Sequence, residues 1–237
     1  MGIRAVIFDL DNTLTHRDLS VQHYAAYFSK RYASALVTAQ IEQIIAIIRR
    51  IDNGGYPQKQ YLTHKSIAAS VAAALREELE WFIVPTLEEL TEFWFANFGQ
   101  CAVVMPKAEQ VLQQLVVEGY QLAIISNGGH ETRLNIIEGL GISHYFQHII
   151  SSGGFGISKP NPKIFQYAVA QLGLKPEQCV YIGDHPINDV QGAKNAGLHA
   201  IWMQGFHELE ELIQPNIQHL TEIPFIIQQL NTSFKPY

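Results

Sequence analysis

The chain has 237 residues, 47% of them hydrophobic and 16% charged, with a formal net charge of -6. That length carries a sizeable core, in one large domain or in a core plus a subdomain, and the composition is globular, without a disorder signature. The acidic balance and the lack of any Lys/Arg stripe argue against a nucleic-acid partner, no apolar run is long enough to span a bilayer, and two cysteines, Cys101 and Cys179, give neither a disulfide framework nor a CxxC metal spacing.

From the N-terminus, the apolar run "IRAVIF" (3–8) predicts a buried strand. No leader pattern precedes it, and position 6, where a myristoylation site needs Ser or Thr, is Val6. The expectation is a soluble cytoplasmic protein. The strand runs into "DLDNT", so Asp9 and Asp11 flank a single leucine. Two like charges about 4 Å apart repel by roughly 4 kcal/mol at an effective dielectric near 20. Protonation, a metal or separation by the backbone must offset that repulsion.

Residues 16–100 then read as almost wholly helical, in four segments: "VQHYAAYFSKRYAS", "TAQIEQIIAIIRRI", "SIAASVAAALREELEWF" and "TLEELTEFWFANF". The turn signal "DNGGYP" (52–57) splits them. The aromatics Trp81, Phe82, Phe93, Trp94, Phe95 and Phe98 read as packing within this segment. Beyond it, strands are predicted at 121–126, 147–152, 179–183 and 199–203, alternating with helical patterns, several of which end in Gly. Alternation of apolar strands and helices means a parallel sheet covered on both faces. The tail adds a short edge strand and a last helix. The fold class is therefore α/β, a Rossmann-like parallel core (1–15 and 101–237) with a helical subdomain (16–100) inserted after the first strand.

Ligands of open parallel sheets bind beyond the C-terminal strand ends. There this sequence places Asp9 and Asp11, then Ser126 and Asn127 in "SNGG", Lys159 in "GISKPNP", and Asp184, Asn188 and Asp189 in "GDHPIND". Lys163, one helical position in, reads as solvated surface, and none of the ten histidines has zinc-site spacing.

The set "DLDNT", "SNG", "KP" and "GDHPIND" resembles the haloacid dehalogenase-like superfamily, specifically its phosphatases, over residues 1–15 and about 101–205, and the insertion is similar to that superfamily's type 1 cap. The resemblance implies Asp9 as nucleophile, Asp11 as general acid/base, and Ser126, Asn127 and Lys159 as phosphate binders. It implies a Mg²⁺ cofactor held by Asp9, Asp11 (through its backbone carbonyl) and Asp184, with Asp189 a ligand or just outside the ligand set. A carboxylate can attack phosphorus and form an acyl-phosphate that water cleaves, and Mg²⁺ suits oxygen donors. Thr13 is expected to fix the tight turn after the first strand. His16, Arg49, Tyr56 and His185 are candidate substrate contacts, with Arg50 beside them. The implied partner is a small phosphorylated metabolite, such as a sugar phosphate, a nucleotide or a phosphoglycolate-like compound, acted on by a monomer or homodimer. Within the superfamily, Asp11 argues against dehalogenation. A phosphonatase would use a cap lysine, for which Lys30, Lys59 and Lys65 are available. A phosphomutase shares the core motifs, and a catalytically quiet binding module is the alternative outside enzymology.

Overall fold

The computed structural model describes residues 2–209 and 212–232. They divide into two compact units, one of Met1–Leu14, Val104–Ile137 and Gly141–Tyr237, the other of Thr15–Val103 and Glu138–Leu140.

The first unit is built on six parallel strands: β1 (Ala5–Phe8), β2 (Gln121–Ser126), β3 (His148–Ser151), β4 (Cys179–Gly183), β5 (His199–Met203) and β6 (Asn216–Ile217). Their order across the sheet is β3-β2-β1-β4-β5-β6. β1 therefore lies between β2 and β4, with Ala5 opposite both Gln121 and Cys179. Every residue of β1 and β4 is buried, which is why these strands read as continuous apolar runs rather than alternating ones. One side of the sheet packs Phe165, Ile164, Val190 and Leu198 against Ile7, Tyr181 and Trp202. Fully burying side chains of this size contributes about 1.5–3 kcal/mol each.

From β1 the chain winds outward to β2 and β3. It then crosses back to β4 and winds the other way to β6. The reversal falls at the C-terminal ends of β1 and β4, the switch point at which a crevice forms. β1 ends in a tight turn made by the backbone: the Thr13 and Leu14 N–H groups both bond the Leu10 carbonyl, and Asn12 takes a left-handed φ of 58°. Thr13, expected to fix this turn, takes part in it through its N–H, and its hydroxyl is buried without a hydrogen-bond partner.

The second unit consists of α1 (Arg17–Arg31), α2 (Ile41–Asp52), α3 (Ile67–Glu78) and α4 (Leu87–Asn97), with two short 3₁₀ turns, Asn53–Gly55 and Lys59–Tyr61, between α2 and α3. Ser66 and Thr86 cap α3 and α4 by accepting from Ala69 N and Glu89 N. Tyr24, Phe28, Trp94 and Phe98 form its aromatic centre, with the Trp94 and Phe98 rings stacked at 4.3 Å. Phe82 and Phe95, expected in that cluster, are 71% and 43% exposed. Among the described residues no helix is long and apolar enough to cross a membrane.

In the first unit the remaining helices are α5 (Ala108–Val117), α6 (His130–Gly139), α7 (Ser152–Phe155), α8 (Pro162–Gln171), α9 (Gly192–Asn195) and α10 (Ile223–Thr232). The helical pattern expected between the strands at 179–183 and 199–203 is instead a π-turn over Pro186–Gln191 followed by the single turn α9. The tail supplies β6 and α10, as its pattern predicts.

Candidate active site

Three buried charges meet at the ends of β1 and β4. Lys159 Nζ donates to Asp9 Oδ1 and to Asp189 Oδ1, both at 2.6 Å, and to the Tyr181 hydroxyl at 2.8 Å. The three charged residues are no more than 5% exposed. Burial works to lower the Lys159 pKa, but the Asp189 and Asp9 carboxylates outweigh it, and the net displacement is upward. For Asp9, burial is the largest influence and raises the pKa. Lys159 opposes it, Asp189 and Asp184 reinforce it, and the value stands well above the ordinary carboxylate range. Asp9 Oδ2 accepts no hydrogen bond from any described residue.

The backbone fixes these groups. Asp9 N–H bonds the Ile182 carbonyl at 2.8 Å, tying the end of β1 to β4. Asn127 brackets Lys159, its Nδ2 donating to the Lys159 carbonyl at 3.1 Å and its Oδ1 accepting from Lys159 N at 2.9 Å. The Asn127 side chain thus positions the lysine. Ser126 closes β2, 2% exposed.

The π-turn bends Asp189 back toward the sheet. Its Oδ2 accepts from His185 N at 2.9 Å while its Oδ1 faces Lys159 and Tyr181. Gly183 makes room: a Cβ there would overlap the Asp189 carboxyl group. Asp184 is fully buried. Trp202 Nε1 donates to its backbone carbonyl at 2.7 Å, Asn12 Nδ2 donates to its Oδ2 at 3.3 Å, and His207 Nε2 lies 3.2 Å from the same oxygen. His185 caps the π-turn, its Nδ1 accepting from Ile187 N and Asn188 N. Burial and the adjacent His207 hold its imidazole below the ordinary histidine value.

One carboxylate oxygen from each of Asp9, Asp184 and Asp189 lies within 4.8 Å of the others. With Asp11, four buried carboxylates share the site with two buried cations, Lys159 and Arg133. That excess of negative charge, on oxygen donors alone, suits a hard divalent cation.

Arg133 was missed in the sequence. It donates through Nη1 to Asp11 Oδ2 and is 6% exposed. Its signal was present: Arg133 stands three and four residues before Ile136 and Ile137, on the buried face of α6.

The first unit thus gathers Asp9, Asp11, Ser126, Asn127, Lys159, Asp184, His185 and Asp189 at its strand ends. His16, Arg49 and Tyr56 belong to the second unit. There His16 caps α1, with Nδ1 accepting from Leu19 N. Arg49 makes an exposed two-pronged pair with Asp18 at 2.6 and 2.8 Å, and Arg50 pairs with Glu78. Tyr56 closes the turn after α2 through Asn53. Lys163 is exposed.

Comparison with known proteins follows the same outline. The chain is 37% identical to a phosphoserine phosphatase of Thermus thermophilus over 115 residues, 48% of this chain and 46% of that protein. It is 26% identical to a phosphoglycolate phosphatase of Pectobacterium atrosepticum over 219 residues, 91% of this chain and 88% of that protein. The matches with the most similar curated relatives span about half the length of those proteins. Among solved structures, the HAD-hydrolase YfnB of Bacillus subtilis bound to magnesium superposes with a TM-score of 0.72 at 20% identity, covering 96% of this chain and 99% of that one. This likeness establishes the shared fold. A haloacid dehalogenase-like hydrolase family model matches residues 3–197, and the chain belongs to that family.

Proposed function

We propose that the chain is a Mg²⁺-dependent phosphomonoesterase acting on a small phosphorylated metabolite through an aspartyl-phosphate on Asp9. The observation that carries this reading is the Asp9 carboxylate, one oxygen of which is held at 2.6 Å by a buried ammonium. A phosphoryl group brings further negative charge to this acidic cluster. Lys159 and a divalent cation together offset it. Asp9 and Asp184 are the side chains that would hold the ion, with the Asp11 carbonyl implied by the family resemblance. Asp189 already accepts from Lys159, Tyr181 and His185 N, so it orients its neighbours rather than binding the ion directly. When bound, Mg²⁺ supplies charge to the phosphoryl oxygens and keeps Asp9 ionised against its burial.

In the first step Asp9 Oδ2 attacks phosphorus, the P–O bond to the leaving group breaks, and Asp11 gives the leaving oxygen its proton. In the second, Asp11 takes a proton from water and the hydroxide attacks phosphorus. The P–O bond to Asp9 then breaks, releasing inorganic phosphate and restoring both carboxyl groups. Lys159 Nζ and the Ser126 hydroxyl donate to the phosphoryl oxygens as charge develops on them. The named phosphatases among the relatives support the same reading.

The test is phosphate release from a panel of phosphorylated metabolites, with Mg²⁺ or with EDTA, for wild type and Asp9→Asn. Release that requires both the ion and Asp9 is expected. Full release by Asp9→Asn would remove Asp9 as nucleophile, and full release in EDTA would remove the metal.

A further inference from the structure

The hydrolytic scheme leaves Arg133 without a task beyond its contact with Asp11. Its guanidinium has five N–H donors in a planar fork. Nη1 donates to Asp11 Oδ2, and Nε is buried with no hydrogen-bond partner. Its Nε, Nη2 and Cζ lie against Gly128, where any Cβ would overlap them, and Gly128 takes a φ of +135° that favours glycine. The loop "SNGG" is therefore shaped around a cation it does not hydrogen-bond. Burying donors without partners is costly, and a single carboxylate oxygen does not meet a five-donor fork.

We propose that Arg133 receives a carboxylate carried by the leaving group, so that the site takes phosphate monoesters of small hydroxy acids. This rests on the phosphatase reading and narrows it. Asp11 is the group that protonates the leaving oxygen. A guanidinium hydrogen-bonded to Asp11 adjoins the atoms just beyond that oxygen. A planar fork matches a carboxylate in two-pronged fashion, which an ammonium does not. Arg133 also stands in the first turn of α6, where the helix end adds partial positive charge. A neutral leaving group leaves the same donors unmet.

The experiment compares 2-phosphoglycolate with ethyl phosphate, which share the phosphate and the two-carbon frame and differ in the carboxylate. The ratio of their kcat/KM values is measured for wild type and for Arg133→Lys, which keeps a cation beside Asp11 and loses the fork. Wild type is expected to prefer phosphoglycolate. The preference should fall about 10- to 100-fold in Arg133→Lys, the worth of a charge-assisted pair. Gly128→Ala, which displaces the guanidinium without changing it, should shift the ratio the same way and replaces Arg133→Lys if that variant does not fold.

Calorimetric binding of the two ligands to Asp9→Asn, with and without Arg133→Lys, repeats the comparison without turnover. Release by wild type from other members of the phosphorylated panel but not from phosphoglycolate would overturn the assignment of Arg133 and leave the phosphatase reading standing, whereas release from no member of the panel would break the phosphatase reading while the binding ratio still tests Arg133. No preference in wild type, or a preference untouched by both substitutions, overturns the assignment of Arg133.

Discussion

Among the described residues, two arginine–aspartate pairs are buried, one in each compact unit, and their geometries differ. In the helical unit Arg17 meets Asp52 through two nitrogens, at 2.6 and 3.0 Å. Asp52 also accepts from Gly55 N, and the guanidinium lies 4.5 Å from the centre of the Phe98 ring. That pair joins the start of α1 to the end of α2. In the sheet unit Arg133 meets Asp11 through one nitrogen, and its Nε has no partner. The difference teaches how a buried charge declares its purpose. A clasp uses its donors on the protein, whereas a group kept for a ligand leaves donors unmet until the ligand arrives.

The strongest way to break this comparison is to remove one half of the clasp. Arg17→Met should lower unfolding free energy in urea by about 3–5 kcal/mol, because Asp52 is left buried and uncompensated. Adding Asp52→Leu should restore most of it, since a well-packed apolar pair replaces a buried ion pair at little cost. A loss below about 1 kcal/mol in the single variant would put this pair with surface ion pairs and end the contrast.

Lys159 sharpens the comparison from the other unit. Lys159→Met should reduce phosphate release roughly 10²–10³-fold, in line with loss of a transition-state donor. It should also change the dependence of stability on pH. The folded-state pKa of Lys159 is raised above 10.5, so its contribution to stability is fully present below the unfolded value and is lost as pH rises through the folded one. Urea midpoints from about pH 8 to about pH 11 should converge for wild type and Lys159→Met only at the alkaline end. Convergence already near neutrality would mean that Lys159 is not held as its neighbours imply.

The smallest effect is kinetic and compares the units through their thiols. Cys179, in β4, is buried and its pKa is pushed up by burial to about 12, while Cys101, in the helical unit, is half-buried with its pKa raised by burial. Only the thiolate reacts. Iodoacetamide near pH 8 should therefore label Cys101 well before Cys179, as read by mass spectrometry. The reverse order would show that the sheet opens more readily than the helices.

Much of the fold was legible because the strands are buried on both faces, so "AVIF" and "CVYIG" announce themselves without any alternation to decode. Their ends were less so: the run at 3–8 pairs as a strand only from Ala5 to Phe8. The π-turn at Pro186–Gln191 was not legible. Apolar periodicity carries no record of the Asp189 carboxylate turning back to Lys159 and His185 N. Asp9, Lys159 and Asp189 could be named as candidates because they stand just past strand ends in a known order. Their mutual hydrogen bonds could not, because these span 150 and 30 residues of sequence. Arg133 and Arg17 were passed over because a charge in a helical pattern reads as solvated, although each is buried.

The position of β1 has a consequence for how the chain comes off the ribosome. Of the six strands of this sheet it is made first, yet its neighbours begin at Gln121 and Cys179. At ~5–20 residues per second, Ala5 waits on the order of ten seconds for its first partner. Through that interval β1 precedes residues 15–103, which make up nearly all of the second compact unit. The insertion therefore sets a timetable of synthesis: the helical segment is made before any partner of β1, and the ammonium at Lys159 can be enclosed only once β4 and the π-turn have been synthesised.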